Sequence, residues 1–71
     1  MKTVYIKDEF IKMGQLLKLA GLVSSGIEAK IVIQDGLVKR NGQITYERGK
    51  KCYPGDIISF DGEEVVVKNA D

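Results

Sequence analysis

Basic side chains are the residues of this sequence best suited to bind a charged partner, and they are unevenly distributed. Residues 37–51 contain five of them against one acidic residue, Glu47, whereas residues 54–71 contain only Lys68 against five acidic residues. Lys and Arg hold phosphate groups through charge and hydrogen bonds. The net charge of +1 hides this polarity, which predicts a basic face and an acidic face in the folded chain.

Two absences limit the catalytic chemistry of the chain. Histidine does not occur, and cysteine occurs once, at Cys52. Without His, the commonest general base and the Ser-His and Cys-His nucleophile pairs are missing. A tetrahedral zinc site of nitrogen and sulfur ligands also cannot be formed within the chain. We therefore expect a protein that binds, with no enzymatic activity and no cofactor.

Acidic residues flank one turn signal near the C-terminus, at Asp61, Glu63 and Glu64. Paired carboxylates can serve a hydrolase or a metal ion, but these have no further ligands nearby in the sequence. We interpret them as a solvated acidic hairpin that repels a polyanion from this side of the molecule.

The segment Ser24, Ser25 and Gly26 offers free backbone N–H groups at a helix start, which suit one phosphate. Capping of the helix explains the same residues equally well, and Glu28 would compete with an incoming anion. Both interpretations remain open on the sequence.

Three tyrosines, Tyr5, Tyr46 and Tyr53, could stack on unpaired nucleobases. Packing in a small core is the favoured use. No strand alternates aromatic with basic residues, so we expect recognition by shape and backbone contacts.

The elements that position these residues must fit in one small domain, which we expect to span residues 1–71, since 71 residues cannot bury two cores. A lone cysteine allows no intrachain disulfide. The N-terminal segment has no apolar signal region, and no apolar run reaches membrane-spanning length. These features predict a cytoplasmic protein.

The N-terminal half predicts a short strand over residues 3–6 and two helices. The first helix is expected over residues 10–20, after an acidic turn at residues 7–9, and should end at Gly21. Its core-facing stripe consists of Phe10, Met13, Leu16, Leu17 and Ala20.

A capping box of Ser25 and Glu28 predicts the start of the second helix, in which each side chain bonds the backbone N–H of the other. This helix should end at Asp35 and Gly36, where glycine supplies a left-handed cap.

The C-terminal half predicts strands separated by turns. Asn41 and Gly42 predict a type I′ hairpin between residues 37–40 and 43–46. Residues 38, 40, 43 and 45 share one face of this hairpin and residues 37, 39, 44 and 46 the other, and neither face is cleanly apolar.

A type II turn is expected at residues 53–56, because Pro54 fixes φ and Gly55 accepts a positive φ. Residues 57–60 and 63–68 should form a second hairpin. The order of elements predicts an α+β fold, in which two short N-terminal helices pack on a small, mostly antiparallel sheet of hairpins.

The combination of these signals resembles the S-four (alpha-L) RNA-binding domain, and within it the small stand-alone bacterial members of the YaaA/YbcJ type. The similarity covers roughly residues 10–60. Its motifs are Leu16-Leu17-Lys18-Leu19-Ala20-Gly21, Ser25-Gly26, Gly36 to Gly42, Arg48-Gly49-Lys50-Lys51 and Gly55-Asp56.

The resemblance implies binding to structured RNA, often ribosomal, against the helical pair and the adjoining hairpin. Lys12 stands where the general pattern often has Arg, and Lys30 follows a small residue in the second helix. Gly26 stands where many larger members have an Arg that reaches phosphate, so that contact is not carried over. Arg40 replaces a residue that is usually apolar.

We therefore expect docking on structured RNA, namely ribosomal RNA of a bacterial large subunit or its precursor, without turnover. The residues expected to contact RNA are Lys12, Gln15, Lys18, Ser25, Lys30, Lys39, Arg40, Asn41, Arg48, Lys50 and Lys51. We expect Arg48, Lys50 and Lys51 to form one cationic strip beside Lys12 and Lys18. The alternative is a protein-interaction module that uses the acidic hairpin or an edge strand.

Overall fold

The computed structural model describes residues 1–70, so Asp71, counted above with the acidic residues, lies outside it. The elements in this range are β1 (Lys2–Ile6), β2 (Ile11–Lys12), α1 (Met13–Leu19), α2 (Gly26–Gln34), β3 (Val38–Arg40), β4 (Gln43–Ile44), β5 (Lys51–Cys52), β6 (Ile57–Phe60) and β7 (Glu63–Asn69). Five strands form a sheet in the order β1-β7-β6-β3-β4, and β2 pairs with β5 separately. Only the β1–β7 pair is parallel among the described strands. The predicted α+β class is confirmed.

The first helix is shorter than predicted, because its expected first turn is a strand. Lys12 is extended, with φ −73° and ψ 145°, and the first turn of α1 contains no acidic residue. Ile11 and Lys12 instead pair with Cys52 and Lys51 of β5. Helical periodicity is a local pattern, so it cannot reveal a pairing strand that lies about 40 residues further along the chain.

The predicted core stripe of α1 is largely confirmed. Met13, Leu16 and Leu17 are fully buried, while Phe10 and Ala20 are half-buried. Of these, all but Phe10 pack with apolar residues of α2 and the large sheet, among them Ala29, Ile33, Val38, Ile58, Val65 and Val67. The core therefore lies between the two helices and the sheet.

Both helices end in the glycine-terminated geometry that the sequence predicts. Gly21 has φ 74° and Gly36 has φ 75°. At the end of α1, the Gly21 N–H donates to the Lys18 carbonyl and the Leu22 N–H to the Leu17 carbonyl, both at 3.0 Å. This pair of bonds is the Schellman motif, and it turns the chain sharply toward α2.

The capping box of α2 is present with one change. The Ser25 hydroxyl accepts the Glu28 N–H at 3.1 Å, as predicted. The Glu28 carboxylate does not return to the Ser25 N–H, however, and accepts the Ser24 N–H at 2.7 Å instead. Both side chains therefore cap the helix start. The bond from Glu28 goes to Ser24, one residue before the predicted partner Ser25.

The predicted turns are confirmed. Asn41 and Gly42, at φ 52° and 84°, form the first hairpin turn, and Asp61 and Gly62 adopt the same left-handed pair in the second. Gly55 has φ 97°, and the Asp56 N–H donates to the Tyr53 carbonyl at 2.9 Å, as a type II turn requires.

The structure also determines which face of the first hairpin is buried. Val38 and Thr45 lie inside, whereas Leu37, Ile44 and Tyr46 are exposed. Strand β4 ends at Ile44, two residues before the predicted end. No helix within residues 1–70 is long and apolar enough to span a bilayer.

Candidate nucleic-acid interface

Four of the expected RNA-contacting residues come together at one groove of about 370 Å³. Its lining, which we call the basic groove, consists of Lys12, Gly14, Gln15, Lys18, Gly26, Arg48 and Gly49. Lys12 precedes α1, Gln15 and Lys18 lie on the exposed face of α1, and Arg48 comes from the loop before β5. The groove therefore joins two segments that are far apart in the sequence.

Backbone hydrogen bonds attach the loop to the helix. The Met13 N–H donates to the Lys50 carbonyl at 2.8 Å, and the Gly14 N–H donates to the Arg48 carbonyl at 3.0 Å. These N–H groups belong to the first turn of α1, so they have no acceptor within the helix. Lys12, at the N-cap position, provides no side-chain hydrogen bond to them. The loop thus caps the helix and, in doing so, fixes the position of Arg48 relative to α1.

Gly14 is a site residue that the sequence reasoning missed. A Cβ at this position would lie 2.7 Å from the Arg48 Cγ, closer than real contacts allow. Only glycine therefore lets the Arg48 side chain cross the helix surface here. The available signal was a glycine inside a helical pattern, which often marks close approach.

Within the described part of the chain, no carboxylate forms an ion pair with a cation of the basic groove. None of the residues that line the groove is acidic. Within residues 1–70 the only ion pair joins Arg40 to Asp56, at 3.3 Å. Lys12, Lys18 and Arg48 are exposed and take no part in it, so their combined field faces solvent.

Arg40 and Asn41 belong to an internal network around Asp56. The carboxylate of Asp56 accepts the Tyr53 N–H at 2.8 Å, the Asn41 Nδ2 at 3.0 Å and the Arg40 Nη1 at 3.3 Å. The Asn41 Oδ1 accepts the Ile57 N–H at 2.9 Å. Burial raises the pKa of Asp56, but the hydrogen bonds and the Arg40 charge together bring it below its ordinary value. These contacts tie the first hairpin to the turn before β6.

Arg48, Lys50 and Lys51 do not form the continuous strip that the sequence suggested. Lys51 lies opposite Lys12 in the β2–β5 pair, and its Nζ stands 4.8 Å from the centroid of the Phe10 ring. Lys50 is half-buried and lines a different cavity, with Arg40 and residues of the 43–47 segment. Arg48 and Lys50 therefore line different cavities, and Lys51 lies in β5 opposite Lys12.

The remaining expected residues lie outside the basic groove. Lys39 lines a cavity with Phe60 and Asp61, away from α1. Lys30 is exposed on α2, one turn beyond Gly26. The Ser25 hydroxyl is used in the helix cap, and the neighbouring Glu28 carboxylate already accepts the Ser24 N–H. The protein's own carboxylate therefore occupies the anion position at this helix start, which favours the capping interpretation.

Cys52 belongs to the core. Its side chain is fully buried, and burial, with a smaller contribution from Asp56, raises its pKa to about 11. The thiol is therefore protonated and unreactive at neutral pH.

Comparison with known proteins places these features in a family. A family model described as the S4 domain matches residues 4–68. The probable ribosome maturation protein RlbA of Bacillus subtilis is 37% identical over 59 residues, which is 83% of each chain. The putative RNA-binding protein YbcJ of Escherichia coli is 38% identical over 61 residues, 86% of this chain and 87% of YbcJ.

A third similarity concerns a much larger protein. A stretch of 41 residues, 58% of this chain, is 51% identical to a segment forming 10% of the tyrosine–tRNA ligase of Nitrosomonas europaea. The family model covers nearly the whole chain, and the two small relatives match over most of their length. The resemblance drawn from the sequence is thereby confirmed, and the chain belongs to the S4 domain family.

Proposed function

We propose that this protein binds structured RNA, specifically ribosomal RNA or its precursor, by holding phosphates in the basic groove. The observation that carries the proposal is the convergence of Lys12, Gln15, Lys18 and Arg48 on one groove that none of the acidic residues in the range 1–70 lines. Membership of the S4 domain family and the names of the two small relatives support it.

The groove offers complementary contacts to an RNA backbone. Arg48 presents a planar fork that suits two phosphate oxygens, while Lys12 and Lys18 act as point charges. The carboxamide of Gln15 can donate to a phosphate or pair with a ribose 2′-hydroxyl. Gly26 and Gly49 also line the groove, and neither carries a side chain that would fill it. Binding is electrostatic and involves no turnover.

The proposal places the protein in the cytoplasm, in association with the ribosome or its precursors. The single cysteine, buried and reduced, suits a reducing compartment.

The first test removes the three cations of the groove together, as Lys12→Ala, Lys18→Ala and Arg48→Ala. Each lost phosphate contact should reduce the slope of log affinity against log salt by close to one unit, so the slope should shrink by up to about 3. Affinity for ribosomal RNA at low salt should fall by orders of magnitude. The melting temperature should change little, because exposed charges contribute within about 0.5 kcal/mol.

The matched control removes three cations outside the groove, as Lys39→Ala, Lys50→Ala and Lys68→Ala. It changes the net charge equally, and it also tests the expected roles of Lys39 and Lys50. We expect a much smaller loss of affinity. Equal losses in the two variants would mean that overall charge, and not the groove, governs binding. Association with ribosomes that survives nuclease treatment would instead favour the protein-interaction alternative.

A further inference from the structure

A second groove lies on the other side of α1 and has a different chemical character. Its volume is about 570 Å³, within the range of small-ligand sites. Its lining, which we call the aromatic groove, includes Tyr5, Asp8, Phe10, Gln15, Lys18 and Leu19. Tyr5 and Leu19 are each 63% exposed. Large apolar side chains that the core leaves uncovered mark a surface suited to a partner.

The two grooves are separated by a ridge of two side chains that belong to both. Gln15 and Lys18 line the aromatic groove as well as the basic groove. Among the other residues of α1, Gly14 lines only the basic groove and Leu19 lines only the aromatic groove. A strand whose phosphate contacts Lys18 from one side can therefore place its base on the other side of the ridge.

The Phe10 ring is fixed at the aromatic groove by two contacts. Its centroid lies 6.0 Å from that of Tyr53, in a tilted arrangement, and the Lys51 Nζ lies 4.8 Å away. Lys7 and Lys18 add positive charge at the same groove, against one carboxylate among residues 1–70, that of Asp8. An apolar, aromatic lining with a cationic rim is complementary to a nucleotide.

We propose that the aromatic groove holds an unpaired nucleobase of the RNA strand whose phosphate lies in the basic groove. The inference rests on the proposed function and adds the kind of RNA that is recognised, namely one with a bulged or looped-out nucleotide. The base packs against Tyr5 and Phe10. The Gln15 carboxamide and the Asp8 carboxylate are the groups in reach of its edge.

The test compares two RNA hairpins that differ by one base. One carries a single bulged adenosine, and the other carries an abasic site at the same bulge, so that the backbone keeps its deformability. Stacking on an aromatic side chain is worth enough that wild-type protein should prefer the first RNA by about 5-fold or more. Tyr5→Ala should abolish this preference while leaving affinity for the abasic RNA unchanged.

The chain supplies a matched control in Tyr46→Ala. Tyr46 is 62% exposed but lies beside Gly36 and lines neither groove, so its loss should leave the preference intact. Equal wild-type affinity for the two RNAs would overturn the inference and leave the aromatic groove to a protein partner. A preference that persists in Tyr5→Ala would overturn it too. If removal of Lys12, Lys18 and Arg48 leaves the abasic RNA bound as tightly as before, the proposed function itself fails.

Discussion

Asp56 connects parts of the molecule that the sequence separates. Its carboxylate receives three donors, of which two come from the first hairpin and one from the turn before β6. The Arg40–Asp56 ion pair alone would contribute little, because such pairs near the surface are worth at most about 1 kcal/mol. The ion pair is important as part of the shared network, in which the Asp56 carboxylate fixes the positions of two turns.

The network predicts a pH dependence of stability. The pKa of Asp56 lies below its ordinary value in the folded protein, so its contribution is present above pH ~4 and is lost as the pH falls through the folded pKa. Asp56→Asn should lower the free energy of unfolding by on the order of 1–3 kcal/mol at pH 7. In urea denaturation at a pH well below about 4, the two proteins should differ less than at pH 7, because the Asp56 carboxylate becomes protonated as the pH falls. A difference of the same size at both pH values would contradict this account.

The residue types indicated which cations line the candidate interface, but not how these side chains are arranged in space. Lys12, Lys18 and Arg48 could be proposed because phosphate binding depends on charge, which is visible in the sequence. The role of Gly14 could not, because it depends on a contact with Arg48 across 34 positions of the chain. The separation of Lys50 from Arg48 was hidden for the same reason, since the path of an irregular loop is set by its long-range hydrogen bonds.

At the level of elements, local signals predicted boundaries wherever the determining contacts are local. The glycine C-caps and the turns were predicted correctly, because each depends on hydrogen bonds and φ values within a few residues. The predicted start of α1 was wrong, because residues 11 and 12 form β2. This strand and β5 have two residues each and exist only through their mutual pairing. The sequence likewise did not determine which face of the first hairpin is exposed, because that depends on the burial of Val38 in the core.

The first hairpin supplies a prediction at this scale. Gly42 has φ 84°, and a β-branched residue strongly resists the left-handed region. Gly42→Val should therefore destabilise the fold by about 1–3 kcal/mol, as a shift of the urea midpoint would show. Gly49→Val is the control for stability, since Gly49 has no left-handed φ and no atom within 4 Å of an added Cβ. An unchanged midpoint in Gly42→Val would mean that the turn tolerates another geometry.

Across the whole molecule, the acidic hairpin and the basic groove share no lining residue. Glu63 and Glu64 lie beside Met1 and Lys2, while Asp61 lies with Leu37 and Lys39. Charges that share no groove interact through solvent, where the screening length is about 8 Å at physiological salt and about 30 Å at 0.01 M. The acidic hairpin should therefore influence orientation at low salt more than affinity at physiological salt.

Replacing Asp61, Glu63 and Glu64 by Ala tests this separation. At about 0.15 M salt we expect RNA affinity to stay the same or to tighten slightly, with an unchanged salt slope, because no phosphate contact is lost. At low salt the variant should bind more tightly, since repulsion has been removed. Weaker binding in filter or anisotropy titrations would place the acidic hairpin within the interface.

Two hydrogen bonds, from the start of α1 to the carbonyls of Arg48 and Lys50, make the basic groove dependent on folding. A helix of seven residues is far too short to persist alone in water. A nascent chain that has not yet emerged beyond residue 50 therefore lacks the groove, although it already carries Lys12 and Lys18. RNA that selects the assembled groove stabilises the native state by mass action. On the proposed function, RNA binding requires the complete fold, and bound RNA in turn adds to the stability of that fold.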